Sequence, residues 1–296
     1  NDSLGIPDLI IYNSLYWDGT EWSVKRIPYN YQGTDFISQI QSVFAFTPND
    51  IWFCGNGVIH WDGINYVAIT IPTNVWGPYQ MNKIWGSRSN ELYIVGSSGS
   101  LARKKNSIWQ KIVSGTGLTL TDISGNDKGD VYACGLNIAQ GKGIVLNTSN
   151  GFSWQTLAEG DIIPPTQIFD PKLYGSIASV WADQDNTLYA AGNLVYRYKF
   201  SKWNYLKSLP ENFIGGNPNT YYRGFINKVR GKASNDIWIV GDRNTVRHFN
   251  GVTWQQIGLP YSPNSDIIWL DLDVKDNLVA ISGMKGNKAF IMIIKR

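Results

Sequence analysis

Cysteine and histidine are scarce in this chain, with two of each among 296 residues. That scarcity leaves no Cys-His zinc spacing, and the sequence also lacks a P-loop, a dinucleotide fingerprint and a calcium loop. No cofactor and no metal are expected. Charge is sparse as well: Asp, Glu, Lys and Arg make up 17% of residues and the formal net charge is +3. The Lys and Arg residues are scattered, so neither a nucleic-acid footprint nor a polybasic membrane patch is indicated. No apolar run approaches the roughly 18 residues that cross a bilayer, so a membrane-spanning segment is not expected. The opening Asn1-Asp2-Ser3-Leu4-Gly5 lacks the charged and apolar regions of a signal peptide. A signal or lipid anchor removed ahead of residue 1 stays open.

What is abundant is aromatic residues, at 14%, and glycine, at 30 residues. Rings and branched side chains pack on a pleated surface better than on a helix. The length would allow two domains, yet all-β barrels and propellers of this size commonly form one. A single domain over residues 1–296 is the expectation.

A repeat supports it. A short strand ending in glycine recurs as Asn49-Asp50-Ile51-Trp52-Phe53-Cys54-Gly55, Asn90-Glu91-Leu92-Tyr93-Ile94-Val95-Gly96 and Gly129-Asp130-Val131-Tyr132-Ala133-Cys134-Gly135. It returns as Asn186-Thr187-Leu188-Tyr189-Ala190-Ala191-Gly192 and Asn235-Asp236-Ile237-Trp238-Ile239-Val240-Gly241, with a looser copy ending at Gly283. The glycines lie 41, 39, 57, 49 and 42 residues apart, the length of one four-stranded propeller blade. Each anchor follows an apolar strand and precedes two more, the last two often joined by Asp-Gly or Asn-Gly, as at Asp62-Gly63 and Asn250-Gly251. Those pairs accept positive φ and signal hairpin turns. Four strands per unit follow, lettered A to D.

Leu15-Tyr16-Trp17-Asp18-Gly19-Thr20-Glu21-Trp22 matches strands C and D without a strand A before it, and the last unit ends after its third strand. An all-β, six-bladed propeller results, closed between its amino- and carboxy-terminal strands so that no sheet edge stays open. Seven blades are the alternative, because Leu9 to Trp17 and Ala289 to Ile294 compete for one third-strand position. Cys54 and Cys134 sit at equivalent places of different blades. A disulfide needs Cα atoms within about 7 Å, so two buried free thiols are expected.

With its Asn-Asp-(Ile/Leu)-(Trp/Tyr) strand, glycine, Asp-Gly turn and Trp, the unit resembles the bacterial propeller repeats of sensor-type regulator propellers and Asp-box proteins. The resemblance covers nearly the whole chain. It implies a propeller but no one function, since such propellers serve as sensors, lectins, glycosidases and assembly factors. Asn147-Thr148-Ser149-Asn150-Gly151-Phe152-Ser153-Trp154 keeps the Gly-x-x-Trp of an Asp-box but has Asn and Ser where that motif has Ser and Asp. A structural turn is expected there, not sialidase chemistry.

No catalytic residues are assigned. His60 and His248 occupy the same strand-C position of two blades and read as structural. The carboxylates Glu159, Asp161, Asp170 and Glu211 fall in long loops, and a glycosidase using two of them across a pocket is the alternative function. Trp22, Trp52, Trp109, Trp154, Trp203, Trp238 and Trp254 recur with the repeat and so read as packing between blades.

The aromatic residues that do not repeat lie in the connections from strand D to the next strand A, which share one face of a propeller. Tyr29, Tyr31, Trp76, Tyr79, Tyr174, Tyr221, Tyr222, Arg223 and Tyr261 are the binding candidates. Exposed rings on loops held by a rigid scaffold bring contact area at little rotamer entropy. A non-catalytic binding or assembly module follows, engaging a protein partner, with a glycan as the other ligand class. The repeat style and the low charge point to a bacterial protein of the periplasm or cell surface.

Overall fold

In the computed structural model, residues 11–31, 33–88, 91–163, 172–206, 225–258 and 266–296 are described. The chain is an all-β, six-bladed β-propeller. Two compact units divide it, Asn1–Ile112 and Val113–Arg296. The first holds blade 1 (Ile40–Thr47, Asp50–Gly55, Val58–Trp61, Tyr66–Ile69) and blade 2 (Met81–Arg88, Glu91–Gly96, Leu101–Lys105, Ile108–Ile112). The second holds blade 3 (Thr119–Gly125, Val131–Asn137, Lys142–Thr148, Gln155–Gly160) and blade 4 (Ile177–Ala182, Leu188–Gly192, Val195–Lys199, Lys202–Leu206). Blade 5 follows (Ile226–Ala233, Asp236–Gly241, Thr245–Phe249, Trp254–Gln256), then blade 6 (Ile268–Lys275, Leu278–Lys285, Lys288–Lys295). Every blade is an antiparallel meander in chain order.

The third strand of blade 6 is Lys288–Lys295, paired along its length with Leu278–Lys285. At the other end of the chain, Ser14–Trp17 and Trp22–Lys25 pair with each other. The amino-terminal segment expected to complete blade 6 includes residues 1–10, which lie outside the described residues.

The repeated glycine has a steric cause. A Cβ at Gly55, Gly96, Gly192 or Gly241 would fall inside the carbonyl oxygen of Gln39, Gln80, Ser176 or Phe225, and at Gly135 or Gly283 it would lie 2.6 Å from that of Thr119 or Ile268. Strand A bulges beside this contact in every blade, at Gln41, Asn82, Thr121, Ala178, Asn227 and Leu270. A bulge re-aims the extra residue. Two of these reach the next blade: Thr121 Oγ1 donates to the Ala178 carbonyl at 2.9 Å, and Asn227 Nδ2 to that of Trp269 at 2.8 Å.

The C-to-D turns also follow the sequence. Asp18, Asp62, Asn150 and Asn250 each accept two backbone N–H bonds, from the residues two and three positions on. The following glycines have φ between 76 and 109, where a Cβ is costly. Asn150 thus holds the turn of the Asp-box-like segment, one position after the Ser149 that stands where that motif has Asp.

The core lies between neighbouring blades. Trp52, Cys54 and Val58 of blade 1 pack with Ile84, Leu92, Ile94 and Trp109 of blade 2. Cys134 and Val145 of blade 3 meet Val180, Tyr196 and Trp203 of blade 4, and Trp238 and Val246 of blade 5 meet Trp269, Leu272 and Ile281 of blade 6. Of the recurring tryptophans, Trp52, Trp109, Trp203 and Trp238 are buried, Trp154 and Trp254 half-buried, and Trp22 exposed. Trp22 instead stacks on Trp17 within the first hairpin, centroids 5.9 Å apart. Both cysteines are buried free thiols, and burial pushes the Cys54 thiol up to about 12.

Candidate functional site

The D-to-A connections were the predicted binding surface, and their aromatic residues divide into anchors and exposed rings. In the first connection, Tyr29–Tyr31 and Thr34–Phe36 form a small hairpin that pairs Tyr29 with Phe36. The Tyr29 ring covers Gly57, where any Cβ would collide with it, and packs with Ile27, Phe53 and Ile59. Phe36, across the hairpin, remains 50% exposed. Tyr31 lies on the same strand, its backbone opposite Thr34.

The second connection repeats the division. Trp76 is turned inward, 7% exposed, and packs in the core shared by blades 1 and 2. Its indole N–H donates to the Tyr79 carbonyl at 2.9 Å, and the Tyr79 N–H donates to the Gly77 carbonyl at 2.8 Å. Tyr79 is thereby held with its ring against Gly77 and 45% exposed. In the connection from blade 3 to blade 4, Tyr174 is buried and its N–H donates to the Tyr196 hydroxyl at 3.1 Å. Trp76 and Tyr174 are therefore anchors of their loops rather than exposed platforms, because each ring finds an apolar slot at a blade junction. Tyr221, Tyr222, Arg223 and Tyr261 lie outside the described residues, as do Asp170 and Glu211. Glu159 ends in the last strand of blade 3, and Asp161 forms a bridge to Tyr174.

The two histidines are structural partners. His60 Nε2 and the Trp52 indole N–H both meet Asp50 Oδ1 at 2.8 Å, with the His ring stacked on Trp52. Blade 5 repeats the arrangement with His248, Trp238 and Asp236, at 2.9 and 3.1 Å. Blade 2 places Glu91, Tyr93 and Arg103 at the same positions. An acid, a ring and a base thus recur on strands B and C. Among the described residues, no group of three His, Cys, Asp or Glu is placed to hold a metal ion.

A second constellation was not anticipated. On the A strands of blades 3 to 6, Asp122 is fully buried and accepts a bidentate pair from Arg230, both bonds at 2.8 Å. It also accepts the Ser179 hydroxyl at 2.5 Å and the Val180 N–H at 3.2 Å. Lys228 lies 3.5 Å from Asp122 and 3.4 Å from Asp271. Burial works against the Arg230 charge, but the charge and hydrogen bonds of Asp122, with Asp271 and Asp273 beyond, raise its pKa above the ordinary arginine value. Two cations and two carboxylates offset one another, and Arg230 also donates to the carbonyls of Val180 and Val229. The sequence signal was present but weak: Asp, Lys and Arg interrupt otherwise apolar A strands, in Leu120-Thr121-Asp122-Ile123 and Lys228-Val229-Arg230.

No family model matches the chain, and no curated protein matches it. Solved structures do. YCF48 bound to D1 peptide is 14% identical with a TM-score of 0.63, over 93% of this chain and 81% of that one. PorZ, a surface component of the type-IX secretion system of Porphyromonas gingivalis, is 14% identical with a TM-score of 0.61, over 90% of this chain and 41% of its own. The extracellular domain of the putative hybrid two-component system BT4673 from B. thetaiotaomicron is 11% identical with a TM-score of 0.60, over 87% and 33%. The chain thus spans about two fifths and one third of the latter two. At such identities the likeness is one of β-propeller fold.

Proposed function

We propose that this chain is a non-catalytic binding or assembly module that holds a segment of a protein partner on its D-to-A loop face, in an exported location. The observation carrying this reading is the division of labour in the loops. Tyr29 and Trp76 are spent on fixing their connections, while Phe36 and Tyr79 stay exposed on the loops so fixed. An exposed ring held by its backbone loses little entropy on binding, which favours it as a contact residue. Of the candidates, Tyr79 and the backbone of Tyr29–Tyr31 belong to this surface in the described residues, and Tyr221, Tyr222, Arg223 and Tyr261 fall by sequence in later D-to-A connections, outside the described residues.

The solved propellers lend support by kind: one is described with a bound peptide and another as a bacterial surface component. The test is co-purification of the tagged protein from a bacterial envelope, comparing the native chain with Tyr79→Ala. A stoichiometric protein retained by the native chain and lost with Tyr79→Ala is the expected result. Equal retention by both would remove the loop face from the reading, and hydrolysis of a glycoside by the pure protein would remove the non-catalytic assignment.

A further inference from the structure

The turns and connections at the loop face of residues 11–112 are nearly free of charge. From 26–39, 56–57, 70–80 and 97–100, the charged residues are Arg26 and Asp35 alone, and Asp35 accepts from Asn30 at 2.7 Å. The corresponding segments of residues 113–296 carry both signs, among them Asp161, Lys172, Asp242, Arg243 and Asp266. In place of charge, these segments carry exposed side-chain amides at Gln39, Asn56, Asn74 and Gln80 together with the exposed rings of Phe36 and Tyr79.

We infer that this face binds an uncharged, extended peptide segment of the partner, with Phe36 and Tyr79 taking its apolar residues and the amides reading its backbone. The inference rests on the binding-module reading above and narrows its ligand. Each amide offers both donors and acceptors, which complement the N–H and C=O groups of a peptide chain. A charged segment would lose hydration on docking and find little opposite charge to replace it. Phe36 shares the first connection with Tyr29 and Tyr31 and joins the candidates on its exposure. Its register opposite the anchored Tyr29 fixes the backbone that presents it.

The experiment is an array of short peptides of three compositions: uncharged with proline and aromatic residues, acidic, and basic. It is probed with the full chain at low and high salt, beside a glycan array. Uncharged peptides should be retained equally at both salt concentrations, since neutral contacts are not screened. Phe36→Ala and Tyr79→Ala should each weaken retention by about tenfold, the scale of an interface anchor. Gln80→Glu, which adds charge without removing a ring, should weaken it too. Phe200→Ala, at an exposed C-to-D turn, should not. Retention of acidic or basic peptides alone, or of uncharged peptides indifferent to Phe36 and Tyr79, would overturn the inference and leave the module reading in place. Glycans retained in place of peptides would overturn it in favour of a carbohydrate ligand. Retention of nothing on either array would count against the module reading itself.

Discussion

Blades 1 and 2 and blades 3 to 6 join their innermost strands by different chemistry. In the first unit, Ser42 Oγ accepts the Ile84 N–H at 3.3 Å, among the rings of Phe44, Phe46 and Trp85. In the second, the same kind of bond recurs, Ser124 Oγ accepting the Ala182 N–H and Ser179 Oγ the Val229 N–H, but Asp122, Arg230, Lys228 and Asp271 are added to it. The inner strands of the second unit thus carry a buried network of Asp122, Arg230 and Lys228 in addition to the serine bonds found in both units. That network carries the condition that every charge keeps its partner.

Asp122→Ala should have the largest effect. It leaves Arg230 and Lys228 buried with only the more exposed carboxylates of Asp271 and Asp273 nearby among the described residues, a loss of about 3–5 kcal/mol. Hydrogen exchange should rise across residues 113–296 and stay unchanged in 11–112; an equal rise in both would break the distinction. Gly192→Ala comes next, because its Cβ would meet the Ser176 carbonyl and such overpacking costs about 1–3 kcal/mol. Gly258→Ala, with open space around it, is the control, and urea denaturation reads both.

Ser42→Ala should cost about 1 kcal/mol, the net value of one hydrogen bond, and its effect should stay within residues 11–112. Acidification acts on both units and sharpens the comparison least. Burial would raise Glu91 and Asp236, but the bonds from Arg103 and Tyr93, and from Arg296, His248 and Trp238, hold both below the ordinary carboxylate value. A depressed carboxylate contributes stability above its unfolded pKa and loses it as the pH falls through the folded one. Urea midpoints should therefore decline below about pH 4, and Glu91→Gln should flatten that decline. Asp183 runs the other way: burial raises its pKa, so its share of stability falls as the pH rises through the unfolded carboxylate value.

The blades were legible because strand B ends at a glycine whose spacing is a steric fact, and because Asp-Gly and Asn-Gly turns bind their own backbone. The closing strand was harder to place, since Leu9 to Trp17 and Ala289 to Ile294 have the same apolar alternation. The charge cluster was hidden for another reason. Asp122 and Arg230 are 108 residues apart, and nothing in either local pattern says that blades 3 and 5 meet across Ser179. Trp76 and Tyr174 looked like Tyr79 in composition alone. What separates them is the slot each ring enters, which depends on the neighbouring blade.

The contact between each strand-B glycine and the carbonyl just ahead of the bulge has a consequence for how such a chain can change. Only the last residue of a connection is specified by that contact, so the residues upstream are free to lengthen. The stretch between Gly135 and Gly192 is 57 residues, beside neighbouring spacings of 39 and 49, while blade 4 keeps its four strands. Each connection is in effect a cloning site built into the fold: sequence inserted before Gln39, Gln80, Thr119 or Ser176 alters the loop face and leaves the blade register untouched.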